Sequence, residues 1–91
     1  MMKEYIDYGL EDPDWILREV GAESLRQKAK WGIQTHTAFE WLTYTTEELG
    51  ELAKAISEYE YRNGTAEDVV KEAIQTATLA LKIAEMFDAE V

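Results

Sequence analysis

Ninety-one residues, 46% of them hydrophobic, make one small domain near the lower limit of what supports its own core. A net charge of −10 opposes binding to nucleic-acid backbones and to anionic membranes, and favours cations or an anionic substrate met through a bridging cation. With no cysteine there is no disulfide framework and no thiolate metal site, which suits a reducing cytoplasmic setting; no apolar run resembles a signal peptide or approaches the roughly 18 residues of a membrane span.

Residues 1–11 mix Tyr5, Ile6 and Tyr8 with acids and carry no clear period, which reads as an arm that packs on something. Asp12-Pro13 is a helix start, because Asp12 can cap and proline suits the first helical position. Ile16, Leu17, Val20, Leu25 and Ala29 recur at helical spacing and predict a first helix over 12–30. Gly32 and the aperiodic stretch to His36 end it.

Thr37-x-x-Glu40 has capping-box spacing and opens a second predicted helix over 37–62. Its apolar stripe is Trp41, Leu42, Leu49, Leu52, Ala53, Ile56 and Tyr59, and Asn63-Gly64 stops it. Thr65-x-x-Asp68 starts a third over 65–88. The loop between them is short enough to force an antiparallel hairpin. On the third helix apolar residues cover almost the whole circumference, from Val69, Val70, Ile74 and Leu81 round to Leu79, Ile83 and Phe87. Only Lys71, Gln75, Thr78 and Lys82 form a polar strip. A helix of this kind needs partners on several sides. The expected fold is therefore all-α: a single domain over 1–91, a helical hairpin plus an N-terminal helix, with a four-helix bundle completed in a homodimer or homotetramer.

The chemistry concentrates in Glu47-Glu48-Leu49-Gly50-Glu51-Leu52. Like charges three and four residues apart on a helix repel. Glu48 borders the apolar stripe, where a carboxylate is costly without a positive neighbour. Glu72 on the third helix also sits beside apolar side chains, and an antiparallel hairpin brings it level with Glu51. Acids from two helices converging on one pocket suit a hard cation, Mg²⁺ or Mn²⁺, that keeps water and shares ligands with phosphate. The alternative is a solvated acidic face. His36 is open to two readings, contact with a base or phosphate and a structural role ahead of the helix. Trp31 can stack on a base or serve packing, and Lys54 can screen a triphosphate or lie idle in solvent.

Glu47-Glu48-Leu49-Gly50-Glu51-Leu52 followed by Lys71-Glu72-Ala73-Ile74-Gln75 resembles the all-α nucleoside triphosphate pyrophosphohydrolases of the MazG-like group, whose pattern is Glu-x-x-Glu on one helix and Glu-x-x-Asp on the next. Lys30-Trp31-Gly32-x-Gln34-x-His36 is similar to a segment of small MazG-like proteins, so the resemblance spans roughly 25–87. It implies a bundle completed by dimerisation and hydrolysis of an NTP or dNTP to a monophosphate and pyrophosphate. It implies Glu48, Glu51 and Glu72 as metal ligands and Glu47 as an auxiliary acid; beside them, Trp31, Gln34, His36 and Lys54 are the candidates for the substrate side. Gln75 stands where the family has Asp: its amide oxygen can coordinate, but it brings no charge and cannot act as a base. The chain is thus expected to be a pyrophosphohydrolase or, alternatively, a weak or inactive acidic helical oligomer that binds partners.

Overall fold

The computed structural model describes residues 2–91 and is all-helical among them, with α1 over Pro13–Trp31, α2 over Ala38–Tyr61 and α3 over Ala66–Asp88. Each helix begins where local chemistry satisfies its first free N–H groups. Asp12 accepts from Trp15 N, with Pro13 in the first turn. Thr37 and Glu40 form a reciprocal box: Glu40 N donates to Thr37 Oγ1 at 3.2 Å, and Thr37 N donates to Glu40 Oε1 at 2.9 Å. Those hydrogen bonds from Thr37, with His36 nearby, hold the Glu40 carboxyl below its ordinary pKa. Thr65 caps α3 by accepting from Asp68 N at 3.1 Å.

The α2–α3 turn, residues 62–65, is tight. Arg62 N and Gly64 N both donate to the Glu58 carbonyl at 2.8 Å, and Asn63 takes a left-handed φ of 62°. Gly64 has no positive φ; it is needed for space. A Cβ there would lie 2.8 Å from the Glu58 carbonyl carbon and from Tyr59 N. The turn returns α3 antiparallel along α2, and these two make the main helix–helix contact. α1 docks on α3, with no close backbone approach to α2 among the described residues.

The buried surface departs from the apolar stripes expected above. Leu17 and Leu25, expected inside, are about 70% exposed. α1 instead turns Ile16, Val20, Glu23 and Gln27 inward. On α3 three of the four residues of the polar strip face the other helices: Thr78 is 2% exposed and Gln75 and Lys82 are half-buried, while Lys71 is exposed and Val70, Leu81 and Ala84 look outward. Thr78 tolerates this because its hydroxyl donates to the Ile74 carbonyl at 2.8 Å. Leu79, at 8%, is the one buried large apolar side chain among the described residues.

The single chain thus encloses a mixed interior, with Glu23, Gln27, Gln75, Thr78 and Lys82 beside Leu79, Ile74 and Ile83, and leaves much of its apolar surface in water. Its accessible area is 7522 Å². A compact monomer of this mass would expose about 5,400 Å². Part of the excess is the arm, whose residues 2–11 are all exposed and bond only locally, Tyr5 Oη to the Gly9 carbonyl and Gly9 N to Asp7. The rest is helical. On α2, Leu42, Leu49 and Ile56 recur every seventh residue, all exposed, with Phe39 one step before them. No described helix is long and apolar enough to cross a membrane.

Candidate functional site: a carboxylate pair bridged by an amide

Glu48 and Glu72 meet across the α2–α3 seam. The bridge between them is Gln75, one turn beyond Glu72 on the same face of α3. With its amide turned as these neighbours require, Gln75 Nε2 donates to Glu72 Oε2 at 2.9 Å and to Glu48 Oε2 at 3.0 Å. One NH₂ group has two hydrogens to give, and here each carboxylate takes one. The two acids are therefore neighbours in space although 24 residues separate them in sequence. Crowding has an electrostatic consequence: burial first, then a hydrogen bond with Glu72, then the charges of Glu72, Glu51 and Glu23 raise the Glu48 carboxyl above its ordinary pKa of 4.5.

Glu51 lies one turn along α2 from Glu48, on the rim. With Glu72, Lys54, Glu58 and Asp68 it lines an open cavity of about 230 Å³ at the hairpin end of the α2–α3 groove. Glu51 and Glu72 thus share one cavity wall, and Lys54 stands beside them. Glu47 is exposed and makes no side-chain hydrogen bond among the described residues. A larger cavity of about 320 Å³ between α1 and α3 is lined by Glu19, Arg26, Val70 and Ile74 and includes none of the carboxylates of the pair.

The residues of the Lys-Trp-Gly segment do not join this group. Trp31 ends α1 61% exposed, with Lys30 Nζ 4.8 Å from its ring centre. Gln34 is exposed. His36 is half-buried in an aromatic cluster, edge-on to Trp41 at 4.9 Å and to Tyr44 at 5.1 Å, with Nδ1 3.9 Å from Glu40 Oε2. Its contacts are those of a residue that packs the entry to α2.

A polar network behind the carboxylate pair was not visible as a site in the sequence. Glu23 on α1 is only 4% exposed. Its Oε1 accepts from Arg26 Nε at 2.9 Å and its Oε2 from Gln27 Nε2 at 2.9 Å. Gln27 Oε1 accepts in turn from Lys82 Nζ, which lies 4.9 Å from the Trp41 ring centre. The signal was available: Glu23 and Gln27 follow Ile16 and Val20 at helical spacing, so two polar residues continue an apolar face.

Among the described residues no three histidine or acidic side chains form a ready-made metal cage. The donor set nevertheless suits a hard, water-retaining cation, which takes one or two carboxylates plus substrate oxygens in preference to a full protein cage. Two part-buried carboxylates drawn together by an amide are such a pair. Compared with known proteins, the chain matches no family model, no curated protein and no solved structure, so the functional reading rests on its own residues.

Proposed function

We propose that the chain is a Mg²⁺-dependent nucleoside triphosphate pyrophosphohydrolase, converting an NTP or dNTP and water to the monophosphate and pyrophosphate, with Mn²⁺ as an alternative ion. The observation that carries this reading is the convergence of Glu48 and Glu72, from two helices, on the single Gln75 amide. Like charges are brought together in a part-buried place where packing alone would favour apolar side chains. Glu48 and Glu72 would hold the ion, with Glu51 at the rim as third ligand and Glu47 as the outer acid. Gln75 would have to turn its amide so that oxygen, in place of nitrogen, faces the ion. A metal bound there would supply charge neutralisation for the phosphate chain. The exposed seam of Leu42, Leu49 and Ile56 supports a second copy of the chain as the partner that completes the bundle.

The test is pyrophosphate release by purified protein with Mg²⁺ and a panel of NTPs and dNTPs. Release should vanish in Glu48→Ala and in Glu51→Ala. Release that survives both changes, or none on any nucleotide, sinks the proposal. A second reading, an acidic helical homo-oligomer without catalysis, is favoured by one observation: the Gln75 amide donates to both carboxylates and so ties them together itself. That reading predicts no turnover and no Mg²⁺-dependent melting shift, alongside a melting temperature that rises with protein concentration.

A further inference from the structure

Nine basic side chains are present, and Lys82 is the one that the fold draws half inside; the other eight are exposed. Burial lowers its pKa, and the charge of Glu23 raises it in part. No carboxylate among the described residues comes within ion-pair distance of its ammonium. An ammonium has three donors, of which Gln27 Oε1 takes one. The Trp41 ring stabilises a further side of the cation. What remains is a half-buried positive charge, held by Gln27 and Trp41, with donors to spare, in a chain of net charge −10.

Its position relates it to the carboxylate pair. Lys82 follows Gln75 by seven residues, two turns on the same inward face of α3, or about 10 Å along the axis. Trp41 precedes Glu48 by the same seven residues on α2. α1 crosses behind both levels: Glu23 acts electrostatically on Glu48 and on Lys82, and Gln27 one turn later holds Lys82. A negatively charged residue with 4% exposure is expensive, and its donors Arg26 and Gln27 are what make it tolerable. Such a chain of bonds fixes the direction of Gln27, and so the place of the ammonium.

We propose that Lys82 is the group that binds the phosphate chain of the nucleotide, and that Glu23, acting through Gln27, is the positioning residue that holds it there. This rests on the pyrophosphohydrolase reading for the identity of the ligand. The carboxylate end and the ammonium end then lie about two turns of α3 apart, with opposite demands: carboxylates for the cation, Lys82 for oxygens the cation does not reach.

The experiment separates this inference from its parent. Turnover is measured for wild type, Lys82→Met, Gln27→Ala and Glu23→Gln, and binding of inorganic triphosphate with Mg²⁺ is measured by calorimetry. Lys82→Met should raise KM and the triphosphate Kd about tenfold, change kcat less, and leave the melting shift caused by Mg²⁺ alone intact. Gln27→Ala should reproduce about a threefold part of the KM effect with Lys82 still present, and Glu23→Gln a smaller part. Should Lys82→Met fail to fold by circular dichroism, Gln27→Ala decides. An active wild type whose KM and triphosphate affinity are unchanged by these substitutions overturns the role of Lys82 and leaves the parent reading standing. A wild type that neither turns over nucleotides nor binds triphosphate overturns both.

Discussion

Replacing Glu48 by glutamine should make the protein more stable while abolishing its activity. Glu48 faces two sources of repulsion. Glu51 lies three residues along the same helix, and like charges at that spacing cost about 0.2–0.5 kcal/mol. Glu72 lies across the seam, sharing the Gln75 amide. Unit charges some 5 Å apart repel by about 1–3 kcal/mol between bulk water and a protein surface. Glu48 is only part-buried, so solvent screening brings that to about 0.5–1 kcal/mol. The neutral amide keeps an oxygen for Gln75 and removes the charge, for a net gain of about 1 kcal/mol, or a melting temperature about 4–8 °C higher for a domain of this size. The sign with pH follows from the raised carboxyl of Glu48. In the folded state it holds its proton to higher pH than in the unfolded state. Its favourable contribution is therefore complete below its ordinary value of 4.5 and is lost as pH rises through the folded value. The advantage of glutamine over glutamate should be present at pH 7.5 and disappear below about pH 4.5. Thermal melts of both proteins across pH 4–8, with and without Mg²⁺, are the assay. The ion should raise the melting temperature of the wild type, by about 2.7 kcal/mol of stability at a hundredfold excess over Kd, and should not raise that of the variant. A Glu48→Gln protein as stable as wild type or less so at pH 7.5 would refute the claim that these carboxylates are forced together. A variant that still responds to Mg²⁺ would remove Glu48 from the ion.

Two further outcomes come from neighbouring residues. Gln75→Asp exchanges the bridging amide for a third carboxylate in the same place, so the metal-free protein should lose about 1–2 kcal/mol while its Mg²⁺ affinity and pyrophosphate release rise; melts and a pyrophosphate assay decide. Gly64→Ala should cost about 1–3 kcal/mol, because its Cβ meets the Glu58 backbone, whereas Gly50→Ala in mid-α2 meets nothing within 4 Å and should gain about 1 kcal/mol. A stability deficit of Gly50→Ala relative to wild type that widens as protein concentration rises would place a second copy against that stretch of α2.

Helix starts and stops were readable from short-range chemistry, since a cap needs only residues three or four apart: Asp12, the Thr37–Glu40 box, Thr65 and the Asn63-Gly64 turn all stand at helix ends. The pairing of Glu48 with Glu72 was within reach for a related reason, because a short turn leaves two helices little choice of register. Which way each helix faces was not readable. Nearly every side of α3 is apolar, so its own period names no inward face, and the orientation is set by what its neighbours can satisfy: Gln27 for Lys82, the Ile74 carbonyl for Thr78, and Glu48 with Glu72 for Gln75. For the same reason Glu23 went unnoticed and Leu17 and Leu25 were placed inside. Hydrophobic patterning ranks faces by how much they gain from leaving water, and it says nothing of bonds between polar groups on different helices. Those bonds exist only once the helices are side by side, and in this protein they share the interior with Leu79, Ile74 and Ile83.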